Sequence, residues 1–407
     1  MLGAIYVGLS GMEAYSEAMK TISNDVANLD TLGYKASTLS FNDIFSLPES
    51  SLGYEASGSG QSTGNGVTYN DPTIDFTPGT MEQTGGALDL SINGNGFFAV
   101  QDTGGNTNYT KTGQFSVDTN GYVVDADGSR LMMLSSSNQS EVINIANDKT
   151  SAPAATQNIT FGQNLSSSGT TADVSGITVY DSNGVAHTWG VSLSADTSSS
   201  SSSSTTTSTG TANWDITVTD ETGATVGTGT IGFNGGVAVP GSSSIVINTT
   251  PSGAKAMAVT LDFSSVTNFS AGTTSTLATS NVDGNAIGTL STVTVNSQGQ
   301  MVLNYSNSQT TTLGSVAMAN FVDQEQLVQI SGGEFENTDK SNSVTYGASS
   351  TSGIGSLQTG QVEASNVNLT SEFGNLILIQ RGFDASSQVV SATNDMIQQL
   401  FGMRGHE

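Results

Sequence analysis

Apolar residues recur at alternating spacings of three and four at both ends of this 407-residue chain, with short β-prone runs between. At the amino end Leu2, Ile5, Leu9, Met12, Met19 and Val26 form one stripe, interrupted by Ser16 and Ser23, which predicts an amphipathic helix. At the carboxyl end Leu369, Phe373, Leu376, Phe383, Val390, Ile397 and Phe401 repeat the pattern, with Gln380, Ser387 and Asn394 at the remaining seam positions. Two such helices, each about 40–50 Å long at ~1.5 Å per residue, have no third apolar layer of their own. Ala4, Tyr6, Val7, Ala14, Tyr15, Ala18 and Ile22 widen the first apolar surface beyond the needs of a two-stranded coiled coil. Other copies of the chain would supply the missing layer, so the pattern points to a polymer. A helical hairpin folded onto the chain's own β domain is the other reading it leaves open. Gly3, Gly8 and Gly11, at roughly 1 kcal/mol each relative to alanine, predict an N-terminal segment that orders only when packed.

From about residue 70 the helical spacing gives way to short runs separated by Asn-Gly, Asp-Gly and Gly-Gly pairs, which predicts an all-β interior. Leu88–Ile92 and Phe97–Val100 across Asn93–Gly96 read as one hairpin; Gln114–Val117 and Tyr122–Val124 across Asp118–Gly121 read as a second. Gly176–Tyr180 and Ala186–Leu193 flank Asp181–Gly184, Trp214–Thr219 precedes a further turn, and Thr292–Val295 and Met301–Tyr305 flank Asn296–Gln300. Residues 197–209 are an unbroken Ser/Thr run with nothing to bury, expected as a mobile loop at a domain tip. The expected fold class is mainly β with terminal α-helices. A helical layer comes from 1–30 and 365–407, and 31–70 connects it to an inner β domain from 71–146 and 277–364. An outer β domain is inserted as 147–276.

Charge narrows the partners. With 35 acidic and 9 basic residues the net charge is −26, which argues against nucleic acid, because backbone recognition needs clustered Lys and Arg. The acids are spread along the chain rather than gathered in a tail, the pattern of a solvated, weakly self-repelling surface. Without cysteine no disulfide, thiolate metal site or thiol nucleophile is available. The first positive side chain is Lys20, and the early apolar residues are spaced rather than continuous, unlike an ordinary signal peptide. No run of about 18 apolar residues marks a membrane span. Loops this rich in Ser, Thr and Gly suit an extracellular protein, which would leave the cell by another route.

Candidate chemistry is sparse. Asp125-Ala126-Asp127-Gly128 resembles the start of a calcium loop, but Ser136 stands where an EF-hand needs a carboxylate, so a hairpin turn is the simpler reading. His187 and His406 form no metal pair. Gly60-Gln61-Ser62-Thr63-Gly64 has the letters of a nucleophile elbow without the apolar strand before it or the helix after it. No catalytic, cofactor or metal site is expected. A secreted hydrolase would need a convergent acid, base or metal site, and none is visible; a β-rich adhesin would explain the middle but not paired apolar helices at both ends.

One string goes beyond local folding needs: Asn24, Ala27, Asn28, Thr31, Gly33, Tyr34 and Lys35, at the expected end of the first helix. Asn28 and Gly33 suit left-handed backbone and Asp30 or Thr31 a turn cap, yet this does not account for the whole string. The string resembles the amino-terminal signature of the bacterial flagellar rod and hook axial proteins. The resemblance extends to Gly85–Ile92 with Asn95–Phe98, to Tyr109–Phe115, and to Gly360–Leu369 with Gln380-Arg381-Gly382-Phe383. Val179–His187 and the large insertion are similar to the hook branch of that family rather than to its shorter rod members. The long Ser/Thr loop, Ser386 where an asparagine is common, and the extension after Phe401 depart from the pattern.

The resemblance implies a subunit that polymerises into a curved, flexible tube joining the basal-body rod to the filament; a distal rod subunit is the alternative within the family. It also implies export through the flagellar type III apparatus, with Phe41 and Phe45 in an element presented to the export gate. A short apolar turn packing under the inner domain is the structural reading of the same residues. Implied partners are other copies of the chain, the rod, the hook cap and the hook–filament junction. The terminal helices would surround a central channel, and outer domains with small Gly, Ser and Thr side chains would slide as the tube bends.

Overall fold

The computed structural model describes residues 2–45, 64–135, 139–196, 211–339 and 341–404. The Ser/Thr run 197–209, Gly60–Thr63, Ser136 and His406 lie outside them, as do the side chains of Leu2 and Phe45. The chain is mainly β with a helix at each end, and it forms two compact units. Unit 1 comprises Met1–Ala146, Val293–Val302 and Thr312–Glu407; unit 2 comprises Asn147–Thr292 and Leu303–Thr311.

Unit 1 carries both helices, α1 (Leu2–Ala27) and α2 (Leu369–Arg404). Asn368 caps α2, its Oδ1 accepting the Thr370 and Ser371 amides at 3.1 and 3.2 Å. The central strand of its sheet is Phe97–Gln101, flanked on one side by Thr107–Thr110 (Phe98 opposite Thr110). On the other side lie Arg130–Leu134 (Leu131 opposite Val100) and Met318–Phe321 (Met318 opposite Phe98). Phe97, Tyr109, Phe321 and Phe335 fill its core, with Tyr109 edge-on to Phe321 at 4.7 Å. Asp118–Gly121 closes the expected hairpin, Val123 pairing with Val117. Asp125–Gly128 is likewise a tight turn: Asp125 Oδ1 accepts the Asp127 and Ser129 amides at 3.0 and 2.9 Å, and Gly128 has φ +87°.

One expected hairpin is absent. Leu90–Asn93 does not pair with Phe97–Gln101; it pairs with Ser356–Thr359, Ile92 opposite Leu357. The Asn-Gly repeat that suggested a hairpin turn instead carries the chain between sheets. Gly94 (φ +112°) lies against Gly355, where a Cβ would approach the Gly355 Cα to 3.2 Å, and Gly355 donates its amide to Asn95 O at 2.7 Å. A partner distant in sequence displaced the local one.

Unit 2 is two sheets packed face to face. One comprises Thr171–Tyr180, Ala186–Ala195, Thr211–Thr219, Thr225–Asn234 and Val237–Ala238; the other comprises Ser244–Thr249, Met257–Asp262, Asn158–Gly162 and Ala278–Val282. Strict alternation builds the core: Trp189, Val191 and Leu193 point inward while Thr188, Ser192 and Ser194 face out. The Asp181–Gly184 turn joins the first two strands with Tyr180 opposite Ala186, and a bulge shifts the register between Val174 and Ile177. His187 lies beside this turn, its ring nitrogens 3.4 Å from Asp181 and 3.5 Å from Glu221.

Both tryptophans, Trp189 and Trp214, are in this core, where Phe161 and Phe263 stack at 4.4 Å. Tryptophan fluorescence therefore reports the unfolding of unit 2. Phe263→Ala is expected to lower unit 2 stability by about 3–5 kcal/mol through lost burial and a residual cavity. Urea unfolding followed by that fluorescence measures it, and an unchanged midpoint would show the stacked pair to be dispensable.

Candidate functional site

The two terminal helices meet through their small residues. On α1 the buried positions are Gly8, Gly11, Ala14, Ala18, Ile22 and Asp25. On α2 the shielded positions include Glu372, Leu376, Ile379, Phe383, Ser386, Val390, Thr393 and Ile397, spaced alternately by four and three, with Gly382 and Ser387 beside them. Contact is close enough that glycine is required. A Cβ on Gly8 would lie 2.6 Å from Val390 Cγ2, one on Gly11 2.8 Å from Ser386 Oγ, and one on Gly382 2.4 Å from the Tyr15 ring.

The expected α2 seam is therefore half in register. Leu376, Phe383, Val390 and Ile397 are half-buried on the shielded side, whereas Leu369, Phe373 and Phe401 are exposed. On α1 the expected stripe is not the face that meets α2: Ile5, Met12, Met19 and Val26 flank the contact half-buried, and Leu9 is exposed. Periodicity of large apolar residues missed this face because glycine and alanine occupy it. The spacing of Gly8, Gly11 and Gly382 was the available signal.

At the foot of the helix pair the string from Asn24 to Lys35 reverses the chain. Gly33 has φ +68° and donates its amide to Glu363 O at 2.7 Å; a Cβ there would approach the Thr112 amide to 2.8 Å. Asn24 Nδ2 donates to the Tyr34 hydroxyl, which donates to Asp25 Oδ1, each at 2.8 Å. Asp25 is fully buried and also accepts the Ser37 amide. Burial raises its pKa against those hydrogen bonds, and burial together with the bond to Asp25 raises that of Tyr34. Asn28 Nδ2 donates to Asn24 O, Thr31 Oγ1 donates to Asn28 Oδ1, and Ala27 is exposed on the last helical turn.

Lys35 then enters a fully enclosed ion pair with Glu363, their side chains 0% and 1% exposed. Lys35 Nζ also donates to Thr77 O at 2.8 Å, and Glu363 Oε1 accepts the Gly79 amide at 2.8 Å. Such convergence is what makes a buried pair tolerable, since two desolvated charges need their remaining bonds satisfied. Asn366 completes the closure: its Oδ1 accepts the Ala36 amide and its Nδ2 donates to Asp75 O, both at 2.8 Å. Lys111 lies nearby, 4.8 Å above the Phe97 ring, with its pKa lowered to about 8 by burial and by Lys35, against the pull of Glu363. Glu363 and Lys111 both fall within the quoted resemblance segments, but nothing in their sequence spacing indicated that they meet.

Gln380 and Arg381 are exposed on α2. Phe41 is exposed on the strand Phe41–Phe45, which pairs with Gly64–Tyr69, and its ring lies 5.5 Å from Tyr15. Among the described residues no group of three or more His, Asp or Glu is placed to hold a metal, and no helix is long and apolar enough to cross a membrane.

Residues 5–35 match the family described as flagella basal body rod protein, residues 91–177 the flagellar hook protein FlgE/F/G D1 domain, and residues 358–403 the flagellar basal body rod FlgEFG protein C-terminal region. Together with the paired helices and the enclosed turn, these matches define a bacterial flagellar axial protein. The flagellar hook protein FlgE of Escherichia coli (strain K12) is 30% identical over 424 residues, covering 97% of this chain and 98% of that protein. The FlgE of Salmonella typhimurium is 30% identical over 420 residues with the same coverage, and that of Borreliella burgdorferi 26% identical over 442 residues, covering 99% and 100%. The chain belongs to the flagellar hook protein family, whose members are structural subunits of the bacterial flagellar hook, outside the cell.

Two outcomes follow from the enclosed charges. Lys35→Met leaves Glu363 buried without its partner and is expected to cost about 3–5 kcal/mol, whereas Lys35→Met combined with Glu363→Leu costs less than Lys35→Met alone. Both helices belong to unit 1, so urea unfolding followed by helical ellipticity reads the effect; equal losses in the single and double variants would contradict it. Lys111 has a folded pKa of about 8 against 10.5 in the unfolded chain, so between those values the unfolded state holds the extra proton. The Lys111 contribution to unit 1 stability should therefore rise with pH across that window, and the difference in stability between the wild-type chain and Lys111→Met, measured at a series of pH values, should show it.

Proposed function

We propose that this hook subunit polymerises through the outward faces of α1 and α2, which form the channel-side layer of a curved, flexible tube linking the rod to the filament. The observation that carries the reading is the apolar surface of α2. Phe373, Ile377, Leu378, Met396, Leu400 and Phe401 are 49–69% exposed although the helix has already shielded one full side. A helix serving one subunit alone would place polar residues there. Copies of the same chain supply the cover, and Leu2, Ile5, Leu9, Met12, Met19 and Val26 of α1 with Leu369, Phe373 and Phe401 of α2 contribute to that interface. The role is mechanical and requires no catalytic group or cofactor.

In this reading the subunit leaves through the flagellar export apparatus with the Phe41–Phe45 segment presented to its gate. It meets rod, hook-cap and hook–filament junction proteins at the ends of the polymer. Asp substitution of Ile377 and Leu400, both exposed, should abolish polymerisation while leaving tryptophan-monitored unfolding of unit 2 unchanged. Electron microscopy of cells carrying only this variant should show rods without hooks or filaments. Normal hooks would sink the proposal.

A further inference from the structure

Unit 1 encloses two carboxylates, Asp125 and Glu334, that form no ion pair among the described residues. Asp125 is 8% exposed and Glu334 5% exposed. Asn108 Nδ2 donates to Glu334 Oε2 at 2.7 Å, but Glu334 Oε1 is enclosed with no hydrogen-bond donor among the described residues. An enclosed acceptor without a donor is a cost the rest of the fold must offset. Asp125 takes both of its amide bonds, from Asp127 and Ser129, on Oδ1. With both acids ionised, neither can donate. Protonation of Asp125 removes one buried charge and supplies a donor.

The segment leading into Glu334 rests on the Asp125–Gly128 turn. A Cβ on Gly332 would lie 2.1 Å from Asp127 Oδ2. Gly332 and Gly333 have φ +77° and +74°, a left-handed pair that bends the chain between the strands Val328–Gln329 and Glu334–Glu336. Two bonds close the bend: the Ile330 amide donates to Glu334 O at 2.9 Å, and Thr110 Oγ1 donates to Gly333 O at 3.4 Å. Ile330 and Gly332 line a cleft of about 640 Å³ together with Asp125, Asp127 and, from the foot of α1, Asn28 and Tyr34. Any movement of the bend therefore changes this cleft.

Burial, with the charges of Glu334 and Asp127, pushes the Asp125 carboxyl up to about 6, against the amide bonds from Ser129 and Asp127. Both of those charges are negative. Basic side chains of the adjoining segments are engaged with rings, Arg130 with Tyr122 at 4.1 Å and Lys111 with Phe97 at 4.8 Å. From α1's foot the titratable group lining the cleft is the Tyr34 hydroxyl, which donates to Asp25. We infer that the Asp125 turn and the Gly332–Gly333 bend form a proton-operated latch: protonated Asp125 holds the bend beside Glu334, and ionised Asp125 releases it and opens the cleft at the foot of α1. The folded value lies above the ordinary 3.8, so between the two the latched state holds the extra proton. Latching is complete at acid pH and is lost as pH rises through about 6. The latch belongs to unit 1 of a single chain and stands whether or not the chain polymerises.

The test is residue-resolved hydrogen exchange of the full chain from about pH 5 to pH 7, corrected for the intrinsic pH dependence of exchange. Protection of the Ile330 amide, which closes the bend, should fall about tenfold over that range. The Ala99 amide, bonded to Ala317 O in the same unit, should keep its protection. Asp125→Asn retains the Oδ1 acceptor and loses the titration, so Ile330 should then hold level protection; Glu334→Gln should move the fall toward lower pH. Asp25, whose pKa burial also raises, is present in every chain, so the difference between chains isolates Asp125. Carboxyl-carbon NMR of the wild-type chain reads the same titration and needs no variant to fold. An Asp125 midpoint at the ordinary carboxylate value, an equal fall at Ile330 and Ala99, or the same fall in Asp125→Asn as in the wild type would each overturn the latch.

Discussion

Lys35 and Glu363 stand 328 residues apart in the chain, and the organisation of unit 1 depends on their meeting. Neither charge has water to fall back on, so each is held by the other and by backbone groups from residues 77–79. Removing either partner strands a buried charge, an effect several times larger than losing a surface ion pair. The pair therefore constrains the register of everything attached to it. The strand Gln361–Glu363 lies on Met81–Gln83, Gly33 bonds to Glu363, and Asn366 spans residues 36 and 75. The first forty residues and the last forty-five can reach this arrangement only together, whereas unit 2 closes its core entirely from residues 159–277.

The same closure positions the two terminal helices. α1 ends eight residues before Lys35 and α2 begins six residues after Glu363, so one helix ends and the other begins beside one enclosed point. Their mutual contact is made by Gly8, Gly11, Ala14, Ala18 and Gly382, which bring the backbones close and use little apolar area. Other large residues, among them Leu9, Phe373 and Leu400, stay in water. Burial of those side chains by neighbouring copies, at about 25 cal/mol per Å², would be the driving force of the proposed polymerisation.

Local features were legible in the sequence and distant ones were not. The turns at Asp118–Gly121 and Asp181–Gly184 were readable because their Asp, Asn and Gly residues fix backbone shape within four positions. Asn93–Gly96 carried the same signal and misled, because Ser356–Thr359 outcompeted Phe97–Val100 for the Leu90–Asn93 edge. The helices were visible in their 3–4 spacing, and Leu376, Phe383, Val390 and Ile397 of the α2 stripe are half-buried. The α1 contact was hidden because glycine has no hydropathy to reveal. Asn24, Gly33, Tyr34 and Lys35 were picked out as a string by resemblance, but the partner that explains Lys35 is a glutamate at the far end of the chain.

The most direct measurement is residue-resolved hydrogen exchange on the full chain carrying Glu363→Ala. If the buried pair holds the two ends together, the amides of Gly33, Ser37 and Gly79 lose protection along with those of the Phe97–Gln101 strand, while Val191 and Val218 in unit 2 exchange as slowly as before. Unchanged protection at Gly33, Ser37 and Gly79 would contradict the account.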